Sequence, residues 1–121
     1  MMNDTDTVYM NKTTYEILDK PGKDTFLVDA IIAPTIQVIN QKGYRTSACC
    51  SGHADKGYKI AYVQFGFGEL TPEAIPSGWY WAEDGLMEYE YTSECATDFE
   101  QEITNTMSAL LTWAESLPDA N

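Results

Sequence analysis

Beyond Lys59 the chain has no lysine or arginine at all. All seven bases lie between residues 12 and 59, where they balance the seven acids of residues 1–59. Residues 60–121 carry twelve acids, which account for the whole formal charge of −12. Such a half repels nucleic-acid phosphates, so nucleic acid is not expected as a partner. It reads as a solvated face or, more sharply, as a charge mimic that binds a basic partner. Long hydrophobic runs are missing too. The longest, residues 30–34, falls far short of the roughly 20 residues a membrane span needs, so no membrane association is expected. The acidic start has no apolar segment behind it and does not read as a secretory signal. Cysteine is scarce and odd in number: Cys49, Cys50 and Cys95. Without an export signal these are expected to be reduced thiols, which points to a cytoplasmic location. No CxxC pair exists, which excludes a zinc ribbon.

What is present suits one globular domain, residues 1–121, with residues 1–7 frayed. The 121 residues are 44% apolar and 21% charged, enough to build a core without disulfides. The order of elements predicts an α+β fold: a small, mainly antiparallel sheet with two helices packed on one face. Residues 8–10 and 15–18 are weak strands, and residues 26–28 form a short apolar run ending at Asp29, a candidate helix cap. Ile32, Ile36 and Ile39 mark a helix over residues 30–42, with Pro34 forcing a kink or a later start and Gly43 ending it. Strands follow at 44–50 and 58–67. The latter is apolar on both faces, as in a central strand or one covered by a partner subunit.

Residues 78–83 and 86–92 form a hairpin around Asp84-Gly85. A bulged register pairing Ala82 with Leu86 places Trp79, Trp81, Met87, Tyr89 and Tyr91 on one face and the glutamates on the other. The aromatic strip reads as core, with a carbohydrate-stacking platform as the functional alternative. Ala96, Phe99, Ile103, Met107, Leu110, Ala114 and Leu117 then recur at spacings of three and four, giving a six-turn amphipathic helix that Pro118 stops. Trp113 lies off that stripe. With the two-sided strand, it makes a homodimer a candidate.

The densest chemistry is in Gly43-Tyr44-Arg45-Thr46-Ser47-Ala48-Cys49-Cys50-Ser51-Gly52-His53, followed by Asp55 and Lys56. It holds two thiols and the only histidine, among Lys42, Arg45, Lys56 and Lys59. Cationic neighbours lower a thiol's pKa and raise its reactivity. Four readings are open. The cysteines are small core residues and His53 a surface residue. Or the backbone amides of residues 51–54, with flanking cations, bind an anion, using Arg45, Ser51, Gly52, His53, Asp55 and Lys56. Or Cys49 or Cys50 pairs with His53 as a nucleophile, though no third, orienting residue is evident. Or a thiolate and His53 hold a metal, with further ligands drawn from Asp55, Cys95 or a second subunit. Strand alternation places Arg45, Ser47 and Cys49 on the more polar face, so Cys49 is expected to face a site.

The run from Asn40 to His53, with Gly43-Tyr44, Thr46 and Cys49-Cys50-Ser51-Gly52-His53 behind an Ile-Ala-Pro helix, resembles a small family of bacterial and phage-borne proteins. That resemblance implies no particular activity. Cys50-Ser51-Gly52, with Ser47 three residues before the cysteine, is also faintly similar to the wybutosine-synthesising tRNA methyltransferase family. There arginine follows the Ser–Gly; here His53 does. No catalytic residue carries over, and the acidic balance argues against a tRNA substrate. The leading expectation is therefore an accessory domain that binds a small anionic ligand or a protein through residues 49–56. A thiol- or metal-dependent enzyme is the alternative. No cofactor is expected, and no complete set of metal ligands is legible.

Overall fold

The computed structural model describes residues 6–121, apart from the side chain of Asp55. The expected frayed start falls, for residues 1–5, outside the described residues; Thr7 already opens a strand. The fold is α+β and antiparallel throughout, with its strands divided between two sheets. The first has the order β2-β1-β3, from β1 (Thr7–Asn11), β2 (Ile17–Leu18) and β3 (Thr25–Asp29). The second has the order β4-β5-β7-β6, from β4 (Thr46–Cys50), β5 (Ile60–Phe65), β6 (Tyr80–Glu83) and β7 (Leu86–Glu90). Helix α1 (Ala33–Gln41) connects the sheets and α2 (Ala96–Ser116) ends the fold. No helix among the described residues is long and apolar enough to cross a membrane.

One core serves both sheets. Ile32, Ile36 and Ile39 are fully buried and join Met10 and Val28 of the first sheet to Val63 and Met87 of the second. Phe99, Ile103, Met107 and Leu110 close it from α2, so the stripe at spacings of three and four is the buried face. Pro34 acts by delaying the helix. It occupies the first turn, where its missing N–H costs nothing, and α1 begins at Ala33. Asp29 does not cap this helix; Ile32 stands at that position. The path from α1 into β4 is fixed by Asn40. Its buried amide donates to the Ile36 carbonyl and to Thr46 Oγ1, both at 2.8 Å, and its oxygen accepts the Thr46 N–H at 2.9 Å. Satisfying all three groups offsets the desolvation of a buried amide.

The hairpin separates its faces as expected, by a slightly different device. Trp81 lies opposite Met87 and Tyr80 opposite Glu88, while Glu83 lies opposite Leu86 across a two-residue turn. The extra residue is absorbed at Ala82 and not at Gly85. Trp79, Tyr89, Tyr91 and Phe99 then form a ladder of rings with successive centroids 5.8, 5.2 and 5.2 Å apart. The strip runs into α2, which makes it core, except for Trp81, which the edge strand β6 leaves exposed. Trp113 is half-buried, and its indole N–H donates to the Ala74 carbonyl at 3.2 Å, so the preceding loop of the same chain holds it.

Both ends of α2 are tied to other elements. Lys42 reaches the carbonyls of Glu115 and Leu117 at 2.6 and 2.7 Å, placing the cation that the acidic helix lacks at its negative end. It is therefore spent far from the cysteine loop. At the other end the Glu102 carboxylate accepts the N–H groups of Thr92 and Ser93 and the Tyr89 hydroxyl. Burial opposes its ionisation, but these donors outweigh that and hold its pKa below the ordinary 4.5. A carboxylate with a lowered folded pKa stabilises above its unfolded pKa, and that contribution is lost as the pH falls through the folded value. Glu102→Gln is expected to cost about 1 kcal/mol at neutral pH, the size of a solvent-screened charge-assisted hydrogen bond. The gap should close below about pH 4. Urea unfolding of both proteins from pH 3 to 7 checks this, and a gap independent of pH would contradict it.

Candidate functional site

β3 and β4 end at the same place. Asp29 is the last residue of β3, and its Oδ2 accepts the Ser51 N–H at 3.0 Å and the Ser51 hydroxyl at 2.9 Å. Ser51 follows directly on β4 and is completely buried. The chain then turns at Gly52, whose φ is +84°. A Cβ at this position would lie 2.6 Å from the Tyr91 ring and 3.1 Å from the Tyr58 carbonyl, so only glycine fits. His53 and Tyr58 exchange backbone N–H···O bonds of 3.0 Å around the single 3-10 turn Ala54–Lys56, which closes the loop. Tyr91 supports it from below, donating its buried hydroxyl to the Ser51 carbonyl at 2.8 Å.

This arrangement brings three different donors together. One ligand atom each from Asp29, Cys50 and His53 lies within 4.8 Å of the other two. The imidazole Nε2 is 3.4 Å from Asp29 Oδ2, with the two side chains only 11% and 14% exposed. The Gly52 N–H donates to Cys50 Sγ at 3.4 Å, an orientation that favours a thiolate there. Left as a free thiol, Cys50 is held above its ordinary pKa. Burial is the main cause and the Asp29 charge adds to it, while the Gly52 N–H and Lys56 pull the other way. Tyr62 lies opposite Cys50 on the same face of the sheet, and burial together with both thiols and Asp29 holds its phenol up.

The two thiols are oriented opposite to expectation. Cys49 lies opposite the buried Val63 and packs against the core, while Cys50 lies opposite Tyr62 on the outer face. The cause is a β-bulge between Thr46 and Ala48. One extra residue inverts the alternation, so Thr46 and Cys49 share the inner face although they stand three apart. Burial pushes the Cys49 thiol up to about 12, with the charges of Asp29 and Cys50 adding to the shift. Cys49 is thus a packing residue with no thiolate character.

Of the amide nest expected at residues 51–54, the amides of residues 51–53 are already used within the chain. Ser51, Gly52 and His53 direct their N–H groups to Asp29, Cys50 and Tyr58. Arg45 leaves the loop altogether and stands over the Tyr15 ring, 5.6 Å from its centroid. Lys56 is exposed but close enough to stabilise a Cys50 thiolate. The Asp55 side chain lies outside the described residues. Cys95 is exposed at the start of α2, and the cluster does not include it. The third partner that the cysteine–histidine pair lacked in the sequence is Asp29, 21 positions before Cys50. No family model, curated protein or solved structure matches the chain.

Gly57 serves as an internal control for Gly52. Its φ is +70° too, yet among the described residues nothing lies within 4 Å of a Cβ built there. Gly57→Ala is expected to cost about 1 kcal/mol, the left-handed backbone penalty alone. Gly52→Ala adds a collision with the Tyr91 ring and should cost roughly 2–4 kcal/mol. Denaturant unfolding measures both, and equal costs would contradict the close approach of Tyr91 to the loop.

Proposed function

We propose that this is a metal-binding domain that holds one divalent ion of the zinc class through Cys50 Sγ, a ring nitrogen of His53 and a carboxylate oxygen of Asp29. One observation carries this reading: a single atom from each of three different ligand types meets the others within 4.8 Å. A cysteine–histidine–aspartate relay needs the two imidazole nitrogens to serve different partners. One imidazole nitrogen lies within 4.8 Å of both the sulfur and a carboxylate oxygen, the convergence a cation requires. Binding an ion would displace the Cys50 proton and put a positive charge between the thiolate and the carboxylate in this poorly hydrated corner.

The donor set suits zinc, which accepts thiolate, imidazole and carboxylate together. The support around the ligands suits it as well. Ser51 orients Asp29 through two hydrogen bonds, and the Gly52 N–H orients the Cys50 sulfur. Three protein ligands would leave a fourth position for water or a ligand, where the ion would supply Lewis acidity and a water of lowered pKa. An anionic ligand would then be held by the ion with Lys56 beside it, and the loop amides would serve as scaffold. A metal site thus replaces anion binding by the loop amides as the leading reading. Three free cysteines suit a reducing, cytoplasmic setting.

Isothermal titration with zinc under reducing conditions tests this. One equivalent is expected to bind, and Cys50→Ser, His53→Ala and Asp29→Asn should each weaken binding by about a hundredfold or more. Ser51→Ala should cost about tenfold through the orientation of Asp29. Cys49→Ala should leave the affinity unchanged. Loss of binding in Cys49→Ala, or no saturable binding by the native chain, would overturn the proposal.

A further inference from the structure

Among the described residues, β3 and β4 are the outer strands of their sheets, each paired on one side only. They run side by side in the same direction. Their carboxyl ends are joined by Asp29 and Ser51. At the other end Arg45, just before β4, stands over Tyr15, whose ring meets Phe26 near the start of β3 edge-on at 6.4 Å. Between these two ties lies a cavity of about 510 Å³, a volume that suits a small ligand. Phe26, Leu27, Ser47 and Cys49 line it, with the buried Ile36 beneath and the exposed Lys12 at its rim.

The backbone groups that face this groove follow from the ladders. Lys12 donates to the Asp24 carbonyl and Ala30 to that of Asp6, so the alternate residues Thr25, Leu27 and Asp29 turn their N–H and C=O groups away from β1. Phe65 donates to Gly85, and Lys59 accepts from Tyr91, so the odd-numbered residues of β5 serve β7 and the even-numbered ones serve β4. Ala48 and Cys50 are therefore the residues bonded to β5, and Cys49 turns its backbone groups toward the groove. The edge of β3 at Thr25, Leu27 and Asp29 and the backbone groups of Cys49 on β4 thus border the slot. Lys12 lines the rim, and Arg45 stands at one end over Tyr15, itself a lining residue, on a molecule of net charge −12.

We propose that this groove takes an extended acidic peptide as an added strand between β3 and β4, its carboxylates directed at Lys12 and Arg45. The backbone edges match a peptide and the cations set its sign. A length of about four residues spans the groove at the rise of a β-strand. The inference rests on the groove and not on a metal at Cys50, so either can fail without the other.

Amide spectra of the isotope-labelled native chain, with and without zinc, provide the test. The probes are an acetylated, amidated Val-Glu-Val-Glu peptide, its Val-Lys-Val-Lys counterpart, a form N-methylated at alternate backbone positions, and glutarate. The acidic peptide is expected to shift the amides of Leu27, Ser47 and Cys49 saturably and to slow hydrogen exchange at Leu27 and Cys49. The basic and N-methylated peptides should bind about tenfold more weakly or worse, since each loses one of the two recognition terms. Lys12 is exposed, so Lys12→Glu should keep the fold, and it should weaken the acidic peptide and strengthen the basic one. No shift at millimolar peptide would overturn the proposal. So would equal binding of the N-methylated form, which denies strand addition, or glutarate matching the peptide, which reduces the groove to a carboxylate site.

Discussion

The two hydrogen bonds from Ser51 to the Asp29 carboxylate hold the rest of the site in place. They join the carboxyl ends of strands from two different sheets, and they lie where both partners are largely withdrawn from water. Charge-assisted bonds in such a setting are stronger than neutral ones, and losing one partner leaves a poorly solvated charge behind. Their position on the chain also determines where Cys50 and His53 point. Ser51 sits between them, so anchoring its N–H and hydroxyl to Asp29 directs its flanking residues toward the same carboxylate. The sheets could share a core without this tie, but the three donors would not meet.

The loop is tied at several points. Tyr91 stands in a ladder of rings that runs from Trp79 to Phe99 on α2, and its hydroxyl ties the Ser51 carbonyl to that ladder. Gly52 fits against the same ring because it has no side chain. The His53–Tyr58 bridge closes the turn. With these backbone donors spent inside the protein, binding capacity passes from the main chain to the side chains of Cys50, His53 and Asp29. A preorganised set of ligands pays little entropy on closing around an ion.

Much of the scaffold was legible in the sequence because its signals are local. The apolar spacing from Ala96 to Leu117, the Asp84-Gly85 turn with glutamates on one face, and the isoleucine stripe behind Pro34 each depend on neighbours a few residues away. The site was legible only in part, because its deciding features are not local. Cys50 and His53 stood out as a thiol and the lone histidine around a glycine. Asp29 looked like a helix cap, since an acid before an apolar helix usually is one; only the folded chain places it beside Ser51. The bulge before Ala48 had no sequence mark, and it reversed which thiol faces outward. The division into two sheets was hidden for a similar reason. β3 and β4 look like neighbours in one sheet, and the gap between them is set by Tyr15, Phe26 and Arg45, which belong to three separate segments.

The central claim is that Cys50 and not Cys49 joins His53 and Asp29 around one ion. X-ray absorption at the zinc edge of the loaded native chain tests it most directly. The account predicts a single sulfur at about 2.3 Å, with nitrogen and oxygen neighbours at about 2.0–2.2 Å. Two sulfurs would place Cys49 or Cys95 in the site, and no sulfur would remove Cys50 from it; either result would contradict the account.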